Sequence, residues 1–69
     1  MSKEDYENVQ IILEYLDHKM RLSKKEYEYL RLLNQVDYYC YASVIQEINA
    51  IGKEKFNEYL RKAKKWMQN

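Results

Sequence analysis

Lys53, Lys55, Arg61, Lys62, Lys64 and Lys65 crowd the end of the chain, with Tyr59 and Trp66 set among them. Cations interleaved with aromatic rings can follow a phosphate backbone and stack on bases. Lys62, Lys64, Lys65 and Trp66 are therefore candidate nucleic-acid contacts. The same cations near a helix C-terminus would complement its dipole and keep a small protein soluble. Glu54 and Glu58 dilute the run, which weakens a lipid-binding reading. No zinc finger, glycine-turn helix-turn-helix or other nucleic-acid signature accompanies it.

Three further residues could do chemistry. On a helical wheel Asp37 falls among Leu33, Cys40, Val44 and Ile48, inside an apolar face. A buried carboxylate is costly unless paired or hydrogen-bonded, so Asp37 is expected to cap or bond at a kink. With Asn34 beside it, Asp37 could instead fix register in a helical assembly. Acid–base catalysis would need a second acid, base or nucleophile nearby, and the sequence identifies none. His18 is the only histidine and Cys40 the only cysteine. Neither a zinc site nor an intrachain disulfide can be built from them. Cys40 sits on the apolar stripe and reads as a small hydrophobe. No catalytic, metal or cofactor site is expected, and the chain reads as a binding protein rather than an enzyme.

Tyrosine is the stronger signal. Eight of the ten aromatic residues are Tyr, a side chain with a large contact area and a polar tip that is enriched at binding hot spots. Tyr27, Leu30, Tyr38, Tyr41 and Ile45 form a second apolar group beside the main stripe of the central helix. Either two neighbouring helices cover this group, or it is a surface for a partner or a second copy. Ile11 and Tyr15, four residues apart, make a smaller patch away from the first helix's stripe, with His18 beside it. The candidate protein interface is thus Ile11, Tyr15, Tyr27, Tyr38, Tyr41 and Ile45.

The elements that must position these residues are helices. Proline is absent and Gly52 is the only glycine, which excludes turn-rich β architectures. Tyr6, Val9, Leu13, Leu16 and Met20 share one stripe, edged by Ile12, and predict a first helix over about 3–21. Ser23-Lys24-Lys25-Glu26 is a capping box, with Leu22 and Tyr27 placed to form a hydrophobic staple. From there the stripe Tyr29, Leu33, Val36, Cys40, Val44, Ile48, Ile51 keeps phase to Gly52, predicting a helix over about 24–51. Phe56, Leu60, Ala63 and Met67 predict a last helix over about 54–67, flanked by Tyr59 and Trp66. The fold class is all-α: one domain of three helices over 1–69, with a short helical hairpin and a long central helix. At 1.5 Å per residue that central helix would be roughly 42 Å long and its neighbours roughly 28 and 24 Å. It must therefore project, kink near Asn34-Gln35-Val36-Asp37, or be covered by another chain.

Charge and size complete the reading. Residues 1–21 carry a net −2, 22–52 a net −1 and 53–69 a net +4, so the ends can attract each other within the fold or present a basic face. A 69-residue chain buries only roughly 60% of its unfolded surface, and its stability is marginal. The charged start Met1-Ser2-Lys3-Glu4-Asp5 lacks the apolar core of a signal peptide. No run approaches a membrane span, and a lone thiol fits a reducing compartment, so the cytoplasm is expected. The function expected is a small regulator, an inhibitor or adaptor, that binds another protein, often part of a larger complex. Small blocking proteins encoded by phages and mobile elements have this profile. The alternatives are a nucleic-acid-binding module using the basic last helix and a structural homodimer or larger homo-oligomer.

Overall fold

A computed structural model describes residues 2–36 and 40–68. Among the described residues four helices run: α1 Ser2–Asp17, α2 Lys24–Leu33, α3 Tyr41–Ile51 and α4 Lys53–Met67. The fold is all-α, as the helical periodicity demands. Asp37 and Tyr38, with the expectations attached to them, lie outside the described residues.

The expected central helix is two helices. α2 ends at Leu33, and Asn34 caps it with its N–H on the carbonyls of Leu30 and Leu32. The last turn then tightens: the N–H of Gln35 reaches Leu32 O at 3.1 Å and that of Val36 reaches Leu33 O at 3.1 Å. Shortened i→i−3 bonds of this kind end an α-helix. The molecule measures 30 × 25 × 21 Å, so a continuous helix of roughly 42 Å would overrun its longest dimension. Breaking it lets Tyr29, Leu33 and Val36 on one side, and Val44 and Ile48 on the other, enter the same core.

Two boundaries follow local rules. Ser23 accepts a hydrogen bond from Glu26 N at 3.1 Å while the Glu26 carboxylate accepts from Ser23 N at 3.4 Å. This reciprocal capping box starts α2. Gly52, at φ 102°, alone separates α3 from α4. Its N–H donates to Ile48 O and its carbonyl accepts from Phe56 N, both at 3.0 Å. A left-handed φ that L side chains rarely adopt makes glycine the residue for this corner.

α1 ends at Asp17, four residues before the expected boundary. The N–H of Lys19 turns back to Leu16 O at 3.2 Å, and the Lys19 ammonium reaches forward to the Glu26 carboxylate. Met20 therefore leaves the stripe and is 99% exposed. Met67, also expected in the core, is exposed at the end of α4.

α1 packs against all three other helices. Its Val9, Ile12 and Leu16 are fully buried in one core with Tyr29, Leu33 and Val36, Val44 and Ile48, and Phe56, Tyr59 and Ala63, all of them buried. Each large apolar side chain so buried contributes about 1.5–3 kcal/mol. α2 folds back along α1, bringing Leu30 and Asn34 to Leu13 and Asp17. α4 runs parallel to α1: Asp5 and Asn8 lie by Lys53 and Asn57, and Tyr15 by Trp66.

Candidate interaction surface

The second apolar group stays largely outside the core. Tyr27 is 62% exposed, Tyr41 44% and Ile45 40%, while Leu30 packs partly against the core. Because the central helix is broken, the group divides. Tyr27 lies on α2 beside Leu30, Arg31 and Asn34. Tyr41 and Ile45 lie one turn apart on α3, Tyr41 meeting Tyr6 of α1 edge-on with ring centres 5.9 Å apart. The smaller patch on α1 is not open in the same way. Ile11 and Tyr15 are partly buried against the core, and the Tyr15 ring lies 5.9 Å from Trp66 with Lys19 5.0 Å above it. α4 covers the face that the isolated stripe of α1 would turn outward.

Ile45 leads into a cleft of about 130 Å³ where α1, α3 and α4 meet. Its floor is Ile48, Phe56 and Leu60; its rim is Asp5, Asn8, Asn49, Lys53 and Asn57. Beyond Asn57 and Leu60 it opens into a wider, shallower trough along α4, bordered by Arg61, Lys64, Lys65 and Gln68. The trough follows helical spacing, since positions 57, 60, 61, 64, 65 and 68 recur every three or four residues and share one face. Sequence reasoning missed the three asparagines. They come from three different helices, and only the packing of those helices brings them to one cleft.

The four candidate nucleic-acid contacts do not share one surface. Lys64 and Lys65 border the trough. The Lys62 ammonium instead sits 3.4 Å from the Glu58 carboxylate and 5.2 Å above the Tyr59 ring. Trp66 packs against α1, 5.9 Å from the Tyr15 ring and 5.3 Å from that of His18. The His18 imidazole is itself held by a 2.9 Å hydrogen bond between Nδ1 and the Glu14 carbonyl.

Two titratable groupings lie behind this surface. Tyr29 stacks on Tyr59 with ring centres 4.3 Å apart, and the buried Tyr29 Oη has no hydrogen-bond partner among the described residues. Burial pushes the Tyr29 phenol well above its usual range, and negative charge on Tyr59 would push it further. Burial raises Tyr59 as well, helped by the Glu26 carboxylate. At the α1–α2 turn, the hydrogen bond between Lys19 and Glu26 raises the ammonium and lowers the carboxyl. These are packing and pinning contacts between α1, α2 and α4. No family model matches the chain, and neither the curated proteins nor the solved structures include one significantly similar to it.

Proposed function

We propose that this chain is a small protein-binding regulator, an inhibitor or adaptor, that docks through its exposed tyrosine-bearing helix faces. One observation carries the reading. The four helices bury the first apolar stripe of α2 and α3 and leave Tyr27, Tyr41 and Ile45 at the surface. Large amphipathic rings held on helices present contact area with little conformational entropy left to lose. Tyr41 and Ile45, at i and i+4 on α3, are spaced as the anchors of a helix-face contact. A protein of this kind acts by occupying a surface of a larger assembly, with no chemistry of its own.

The test is affinity capture by the tagged chain under native conditions, with the mass of the recovered complex measured. A defined complex that survives high salt and is lost with Tyr27→Ala/Tyr41→Ala is the expected result. Recovery of the chain alone would sink the reading, and a concentration-dependent assembly of the pure protein would replace it with self-association. The basic row Arg61, Lys64 and Lys65 supports the second reading, nucleic-acid contact. That reading requires affinity to fall steeply with salt and to vanish when Lys64 and Lys65 are neutralised.

A further inference from the structure

We infer that the cleft between α1, α3 and α4, with its continuation along α4, binds a short extended acidic peptide anchored by one apolar side chain. The inference rests on the protein-binding reading and names the partner's chemistry. Three observations carry it. The cleft has an apolar floor of Ile48, Phe56 and Leu60 and a volume of about 130 Å³. A cavity of about 150 Å³ holds a benzene molecule, so the cleft has room for a single leucine- or phenyl-sized side chain against that floor. Asn8, Asn49 and Asn57 line the cleft around that floor. A carboxamide donates and accepts at once, which matches the alternating N–H and C=O groups of a peptide backbone and gives no particular advantage with a phosphate.

The third observation is charge. The trough beyond the cleft is bordered by Arg61, Lys64 and Lys65, and Glu58, a carboxylate of the same helix, is paired with Lys62 away from it. Asp5, the single carboxylate at the cleft among the described residues, lies at the opposite end. Polarity is thereby set: the anchor sits between α1 and α3, and the acidic residues run along α4 toward Gln68. From Asn57 to Gln68 the helix rises about 16 Å, which an extended chain covers in about five residues. A nucleic acid fits less well. Trp66 is packed on Tyr15 and His18 instead of standing beside the trough, and Asp5 on the rim of the cleft would repel a phosphate there.

The probe is a blocked peptide of one leucine, one glycine and four glutamates, titrated into the ¹⁵N-labelled protein. The expected result is movement of the side-chain amide signals of Asn8, Asn49 and Asn57. Affinity should weaken about tenfold or more with leucine replaced by glycine, with the glutamates replaced by glutamine, or with Lys64→Gln/Lys65→Gln. Asn57→Ala, on an exposed helical position, provides a second variant that leaves the core intact. Three results would overturn the inference: no movement of these signals, movement indifferent to the leucine, or tighter binding of a ten-nucleotide oligothymidylate to the same residues. Failure here is separable from failure of the broader reading. A protein complex lost with Tyr27→Ala/Tyr41→Ala but untouched by Lys64→Gln/Lys65→Gln would reject the groove and leave the regulator standing.

Discussion

Tyr29 concentrates the tension in this small core. The residue is 1% exposed and stacked on Tyr59, yet its hydroxyl has no hydrogen-bond partner among the described residues. A buried unsatisfied polar group costs about 1–3 kcal/mol. Tyr29→Phe keeps the ring and removes the cost, so thermal unfolding at neutral pH should show a gain of about 1 kcal/mol, or roughly 4–8 °C in a domain of this size. A comparable loss would mean the hydroxyl is bonded. The same burial sets the alkaline limb. The folded phenol holds its proton above the pH at which the unfolded chain releases it. Stability is therefore full below about pH 10 and falls as pH rises beyond it, less steeply in Tyr29→Phe, where Tyr59 and the raised Lys19 ammonium remain. The acid limb has the opposite sign. The hydrogen bond from Lys19 lowers the Glu26 carboxyl in the folded state. Its stabilisation is present above the unfolded value of about 4.3 and lost as pH falls through the lower folded one. Denaturant titrations between pH 3 and 6 should show this dependence reduced in Glu26→Gln.

Among the elements, the α3–α4 corner makes the sharpest prediction. A Cβ at Gly52 would meet nothing within 4 Å, so any cost of Gly52→Ala is backbone strain at φ 102°. The loss should be about 1 kcal/mol or more, read as a lower denaturation midpoint with unchanged m. A neutral substitution would show that the corner tolerates an ordinary residue. This corner and the Ser23–Glu26 box were legible in the sequence because both are local: one glycine, and one four-residue pattern. The break after Leu33 was not legible from periodicity. Val36, Cys40 and Val44 carry the stripe across it in phase, with neither proline nor glycine to mark it. The excess length of the uninterrupted helix, and the polar Asn34 and Asp37 on its apolar face, pointed there. The end of α1 was hidden for a related reason: what turns the chain is the Lys19–Glu26 contact across the loop. The surface was legible in part. Tyr27, Tyr41 and Ile45 could be read from their wheel positions. The asparagine-rimmed cleft could not, because no single helix contains it.

At the scale of the whole molecule, the break in the central helix separates the core stripe from the exposed tyrosines. A single long helix would have needed a second chain to cover it. Divided, the chain closes around α1 with a radius of gyration of 11.3 Å, against about 11 Å for a folded domain of this length. The core drawn from all four helices is thus completed within one chain. Domains of this size hold only about 3–10 kcal/mol in reserve, and a deep truncation such as Leu16→Ala removes about 2–5 kcal/mol of it. That variant should be largely unfolded near physiological temperature. Tyr27→Ala/Tyr41→Ala removes side chains that the fold leaves 62% and 44% exposed, so each change should cost about 1 kcal/mol or less while abolishing partner capture. The deciding measurement is the melting temperature of both variants and the parent over a hundredfold range of protein concentration. A core closed within the chain predicts melting independent of concentration, with the tyrosine variant near the parent. If dilution lowers the parent's melting temperature and the tyrosine variant melts at the diluted value, the exposed rings serve a second copy of this chain, and stability and assembly are one property.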